Sequence, residues 1–126
     1  MNKLWLDRTL LVGPNLALVT SEAEIKKLAK EFDVFPPEVW LPDHWDACTH
    51  TWRVASQLIC IVCINMKRAS KMAPTHVAAL LVHEATHVWQ ETKEKIGGGI
   101  GHESEAYAMQ NICRELFDAY ARKIQK

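Results

Sequence analysis

The stretch Val77-Ala78-Ala79-Leu80-Leu81-Val82-His83-Glu84-Ala85-Thr86-His87-Val88-Trp89 decides how the rest of the chain reads. It carries the pattern HExxH inside an apolar run that contains no Pro or Gly. Two histidines four residues apart fall on one face of a helix, one turn from each other. That spacing lets both imidazoles reach a single metal ion, typically zinc. Glu84 adjoins the first histidine, and in sites of this type the carboxylate acts as general base toward water at the metal rather than as a ligand. The apolar residues at 77–82 leave no polar side, which predicts a helix buried within the protein.

Around this stretch the chain is of ordinary single-domain size. Its 126 residues are 48% hydrophobic, enough for one core over 1–126 without disulfide support. Lys plus Arg and Asp plus Glu balance at 15 each. A nucleic-acid partner would require a basic face, and none is indicated. The apolar residues 10–12 are interrupted on both sides by Asp7, Arg8, Gly13 and Pro14. They form neither a signal segment nor a membrane span, so the reading is a cytoplasmic protein without a membrane partner.

Four cysteines are present, Cys48, Cys60, Cys63 and Cys113. Cys60 and Cys63 form C-x-x-C within the β-branched run 58–64, which reads as a buried strand. Residues three apart on a strand face opposite sides, so these two sulfurs cannot share a metal and read as small apolar groups.

The remaining elements follow from periodicity and punctuation. Residues 9–19 alternate around Gly13-Pro14-Asn15 as one or two short strands. Ser21 with Glu24 makes a capping box for an amphipathic helix over 22–32, with Ile25, Leu28, Ala29 and Phe32 on one side. Residues 33–45 hold three prolines with Trp40 and Trp45, an ordered loop whose aromatic rings pack on the core. A strand is expected over 47–54, with His50 and Trp52 on one face and Thr49, Thr51 and Arg53 on the other. A turn near Ala55-Ser56 would pair it with a buried strand over 57–65. A polar link over 65–71 follows. Pro74 suits the first turn of the HExxH helix, which runs to about 94. Glycines from 97 onward break the chain before a last helix over 102–124, whose apolar stripe is Ala106, Met109, Cys113, Leu116, Phe117 and Tyr120.

A catalytic zinc takes three protein ligands and leaves one position for water. By residue type and place the third ligand is Glu103, Glu105 or His102, and helical geometry alone leaves all three open. HExxH followed by a helix opening Glu103-Ser104-Glu105-Ala106-Tyr107 resembles the gluzincin class of zinc peptidases. That class often carries Glu-x-Glu-Ala-Asp on the following helix, the first glutamate binding the metal. The resemblance therefore implies Glu103 as third ligand, one zinc ion per chain, and a small zincin-like α+β domain. Tyr107 stands where the class has an aspartate that supports the first histidine, so that support would come from Tyr107 or from another acid. More narrowly, the chain is similar to small metallopeptidase-like proteins encoded by bacteriophages and prophages. The similarity extends over most of its length, through Leu4-Trp5-Leu6-Asp7-Arg8, Val12-Gly13-Pro14-Asn15, and residues 77–90 and 103–110.

The expected fold is a short antiparallel sheet packed on the HExxH helix and a following ligand-bearing helix. The expected function is zinc-dependent hydrolysis of a peptide bond in a protein or peptide substrate, with metal ligands His83, His87 and Glu103 and general base Glu84. The strand over 57–65, just before the HExxH helix, would pair with an extended substrate, as strand edges do in zincins. His50, Tyr107 and His76 have the chemistry to stabilise an oxyanion. The alternative is a non-catalytic zinc protein or a partner-binding module built on the same site.

Overall fold

The computed structural model describes residues 4–6, 14–97 and 100–125. Two strongly apolar segments form strands buried on both faces, β1 (Asn15–Val19) and β3 (Gln57–Ile64). A third, β2 (Ala47–Val54), alternates polar and apolar residues and is only half-buried, as suits a sheet edge. The sheet order is β1-β3-β2. The part of the expected N-terminal strands before residue 14 lies outside the described residues.

The sheet is mixed, which corrects the expectation of an antiparallel one. β2 and β3 form an antiparallel hairpin from Ala47↔Ile64 to Val54↔Gln57. β1, however, runs parallel to β3, from Asn15↔Ile59 to Val19↔Cys63. The chain leaves β1 through helix α1 (Glu22–Glu31) and passes β2 before it returns in β3, and a long helical crossover lets strands run the same way. At the hairpin tip Ala55 has φ of 54°, the positive value that a two-residue turn demands at its first central position in a type II′ loop.

One face of the sheet is covered by α1 and the loop after it. Ser21 Oγ accepts the Glu24 N–H at 3.2 Å, the first half of the capping box. Glu24 Oε1 reaches back to the Thr20 N–H at 2.8 Å, one residue earlier than a capping box requires. Ile25 and Leu28 then pack with Ala17, Val19, Ile59, Ile61 and Cys63, and Ala29 is buried beside them on the same helix. Trp40 and Leu41 of the 33–46 loop extend this layer, and Phe32 meets the Trp5 ring edge-on at 5.2 Å.

The other face carries α3 (Pro74–Ile96) and α4 (His102–Ile124). α3 lies against β2 and β3, and α4 against β1 and α3. Val77, Leu81, Ala85, Val88 and Trp89 meet Leu16, Leu18, Leu58, Cys60, Val62 and Ile64 across this interface. Gly97 ends α3 in the left-handed region at φ 89°, a conformation that favours glycine. Residues 65–71, expected as a plain link, contain one helical turn, α2 (Met66–Ala69), because Asn65 Oδ1 caps it through the Arg68 N–H at 3.1 Å.

Two faces were read differently from sequence. α3 is buried on one side only: Val82 is 41% exposed, and His83 and His87 are exposed too. The apolar run before the motif therefore does not mark a helix surrounded by protein. The buried stripe of α4 is Ala108, Ile112, Leu116 and Ala119, while Ala106 and Phe117 are exposed. Small alanines at 108 and 119 flank the buried Ile112 and Leu116 in this stripe, while Met109, Cys113 and Tyr120 are partly buried beside it.

Candidate metal-binding cleft

The HExxH residues divide along the boundary between buried and open faces of α3. Glu84 turns inward and is 3% exposed. His83 and His87 stand on the rim, with Nε2 atoms 3.2 Å apart and rings nearly perpendicular at 80°. For two imidazoles bound tetrahedrally at about 2.0–2.1 Å, the nitrogens would stand about 3.3–3.4 Å apart. The observed spacing fits one shared ion. Gln90 Oε1 lies 3.3 Å from His87 Nδ1. With Nδ1 as the donor to this oxygen, Nε2 is left to present its lone pair to a metal ion. A partner on the other ring nitrogen is how metal-binding histidines are oriented.

β2 forms the opposite wall. The predicted alternation holds: Thr49 and Thr51 face α3, with Arg53 beyond them. Thr49 Oγ1 donates to Glu84 Oε1 at 2.8 Å, which fixes one carboxylate oxygen and leaves Oε2 for other chemistry. Arg53 donates to Glu91 Oε2 at 2.9 Å and closes the far end. The cleft between these walls has a volume of about 380 Å³ and includes Gln90, Trp45 and Cys48 in its lining. Trp45 is 55% exposed and belongs to the cleft rim, not to the core as its aromatic character had suggested.

The third expected ligand stands apart from this group. Glu103 is exposed in the first turn of α4 and does not line the cleft. No hydrogen bond or ion pair engages its carboxylate among the described residues. Glu105 Oε2 accepts from Trp89 Nε1 at 2.9 Å and from Lys93 Nζ at 3.4 Å. These partners, Trp89 foremost, hold its pKa below the ordinary carboxylate value. Lys93 lies six residues beyond His87, about 9 Å along the helix. The opening of α4 thus meets α3 beyond the histidines, toward the 97–101 connection. His102 is exposed in the same turn.

None of the three oxyanion candidates lines the cleft. Tyr107 is 58% exposed, and His76 is exposed near the start of α3. His50 lies on the opposite face of the sheet, with Nε2 at 2.7 Å from the Trp40 carbonyl oxygen. The strand expected to pair with a substrate, residues 57–65, does not offer an edge. β3 is central and has both edges paired, whereas the outer edge of β2 has no strand beside it among the described residues and borders the cleft.

On that opposite face Cys48, His50 and Cys63 bring one ligand atom each to within 4.8 Å of one another, a group able to hold a metal ion. It is the one such group of three or more among the described residues. Cys48 and Cys63 are directly opposed across the hairpin. Hydrogen bonding from the Cys63 thiol, and then from the His50 ring, outweighs burial and draws the Cys48 thiol well below the usual thiol range. The same bond to Cys48, with burial, drives the Cys63 thiol up. The His50 ring is raised by its Cys48 partner, against burial and with help from the Trp40 carbonyl. Cys60 points to the other core, as its offset from Cys63 predicts, and burial pushes its thiol up to about 12.

No protein-family model, curated protein or solved structure matches this chain significantly. Sequence reasoning overlooked Thr49, Gln90 and Glu91 as members of the cleft. Gln90 and Glu91 lie three and four residues past His87, a spacing that places them on its side of the helix. Thr49 has no such local signal, because its place depends on how β2 sits against α3.

Proposed function

We propose that the cleft is a zinc-dependent hydrolytic site acting on a peptide bond in a protein or peptide substrate. One observation carries the reading: His83 Nε2, His87 Nε2 and a buried Glu84 carboxylate converge on one open cleft beside a free strand edge. His83 and His87 would hold the ion. Glu103, whose carboxylate is unengaged among the described residues, is the third ligand in this reading although it does not line the cleft, ahead of Glu105, which Trp89 and Lys93 already occupy. A bound zinc ion supplies Lewis-acid polarisation of the carbonyl and lowers the pKa of water toward neutrality. Thr49 keeps Glu84 Oε1 engaged, so Oε2 accepts the proton of the attacking water and returns it to the leaving amine. The outer edge of β2 offers backbone groups that align an extended peptide past His83 and His87.

The test is hydrolysis of quenched-fluorescent peptide mixtures by the zinc-loaded protein and by Glu84→Gln. The variant is expected to bind zinc as the parent does and to lose about 10²–10⁴-fold in rate. Equal rates would overturn the general-base role. A second reading, a metal-holding protein without hydrolysis, is favoured by the position of Glu103 outside the cleft. It predicts zinc binding with no cleavage by either protein. For the third ligand, Glu103→Ala is expected to weaken zinc binding, measured by competition with a chromogenic chelator. Unchanged affinity would transfer the role to Glu105 or His102.

A further inference from the structure

The sheet separates two sets of metal-ligand side chains, and the HExxH reading uses only one. We propose that Cys48, His50 and Cys63 form a second, independent metal site that takes a thiophilic divalent cation of the zinc type and clamps β2 to β3. The three ligand atoms already lie within 4.8 Å of one another. Cys48 Sγ and His50 Nε2 are 3.5 Å apart. A tetrahedral ion with bonds of about 2.3 Å to sulfur and 2.0–2.1 Å to nitrogen sets its sulfur and nitrogen about 3.5 Å apart. The hairpin supplies the third ligand by register, since Cys63 lies directly opposite Cys48. Two sulfurs and one imidazole form a donor set that selects zinc or a softer ion over magnesium or calcium.

The surroundings also suit a bound ion. Cys63 is buried and Cys48 and His50 are half-buried, so the site lies beneath the 33–46 loop with one side reachable. In the metal-free protein the Trp40 carbonyl accepts from His50 Nε2–H at 2.7 Å, with Cys48 Sγ at 3.3 Å. Binding takes both sulfurs as thiolates, so it releases to solvent the thiol protons that the pair still holds, and it moves the imidazole hydrogen to Nδ1, with no change of oxidation state. The fourth position is left to water or to the Trp40 carbonyl oxygen. Because strand residues alternate, Cys48 and His50 flank Thr49 from behind, so an ion here stiffens the strand that positions Glu84.

Cobalt(II) titration under reducing conditions tests the site directly, because only a thiolate-bound ion gives a sulfur-to-cobalt charge-transfer band in the near ultraviolet. The parent is expected to develop this band, and in the protein lacking His83 and His87 it should saturate at about one equivalent. The double variant His83→Ala with His87→Ala should keep it unchanged, which separates this site from the cleft. Cys48→Ser should lose it while its far-ultraviolet circular dichroism stays that of the parent. If Cys48→Ser does not fold, protection of Cys48 against alkylation by zinc in the parent, mapped by mass spectrometry, takes its place. Absence of the band in the parent, its persistence in Cys48→Ser, or equal alkylation of Cys48 with and without zinc would overturn the proposal.

Discussion

At the residue scale the cleft depends on how one buried carboxylate is kept in place. Glu84 is 3% exposed, and Thr49 Oγ1 is the side-chain donor to its Oε1. Thr49→Val keeps the shape of the wall and removes that donor. It is expected to lower stability by about 1–3 kcal/mol in urea denaturation, because a buried acceptor is left unsatisfied. Thr49→Ser should recover most of the loss, and equal stability of all three proteins would show that the bond contributes nothing. Ala55 presents the opposite case, a residue that its backbone does not suit. Its φ of 54° costs an L-residue about 1–2 kcal/mol, partly offset in Ala55→Gly by the greater entropy that glycine loses on folding. The variant should be as stable as the parent or gain up to about 1 kcal/mol, read from the same denaturation curves. The HExxH histidines were legible because their spacing is local to one helix. Thr49 was not, because its partner is 35 residues away.

At the scale of elements, the strands and the three long helices were legible, the short helix α2 was not, and the faces were not always. Residues 47–54 form β2 as alternation predicts, and the HExxH helix extends to Ile96 only two residues past its expected end. The Cys48–His50–Cys63 group was within reach of sequence. A turn centred on residues 55 and 56 pairs Val54 with Gln57, and the same register carried outward pairs Cys48 with Cys63. The C-x-x-C pattern is no guide to it, since Cys60 faces the other core. The direction of β1 was less accessible, because a strand separated by a helix and another strand can return on either side of the sheet. One long-range tie between elements carries a pH signature. Lys123 Nζ meets Glu24 Oε2 at 2.6 Å and joins the end of α4 to the start of α1. Burial raises the Glu24 pKa, but Lys123 and the Thr20 N–H together outweigh it and leave the folded value below the ordinary one. This contribution is therefore fully present above the unfolded pKa and is lost as pH falls through the folded one. Lys123→Met is expected to be less stable than the parent by at most about 1 kcal/mol at neutral pH, after solvent screening. The gap should close in acid, and a gap independent of pH would contradict the assignment.

At the scale of the whole molecule, two cores share one sheet. Alternate residues of β3 serve the α3–α4 side through Leu58, Cys60, Val62 and Ile64, and the α1 side through Ile59, Ile61 and Cys63. Leu116 is fully buried in the first core, and Leu116→Ala should cost about 2–5 kcal/mol. Val82→Ser, on the open side of α3, should stay within about 0.5 kcal/mol of the parent. A similar loss for both would mean that α3 is covered on its outer side in solution. Among the described residues no helix is long and apolar enough to cross a membrane. The sheet also sets Cys48 and Cys63 against the α1-side core and His83 and His87 on the α3 side, with Cys48 bordering the cleft between them, so the two sets of metal ligands share no side chain.

That separation makes the central claim measurable. The decisive measurement is zinc stoichiometry and affinity at the histidines in a Cys48→Ser background, with and without His87→Ala. The account predicts about one zinc ion bound when His87 is present and none at the same free-zinc concentration when it is replaced. Zinc bound equally in both proteins, or in neither, would contradict the assignment of His83 and His87 to a shared metal ion.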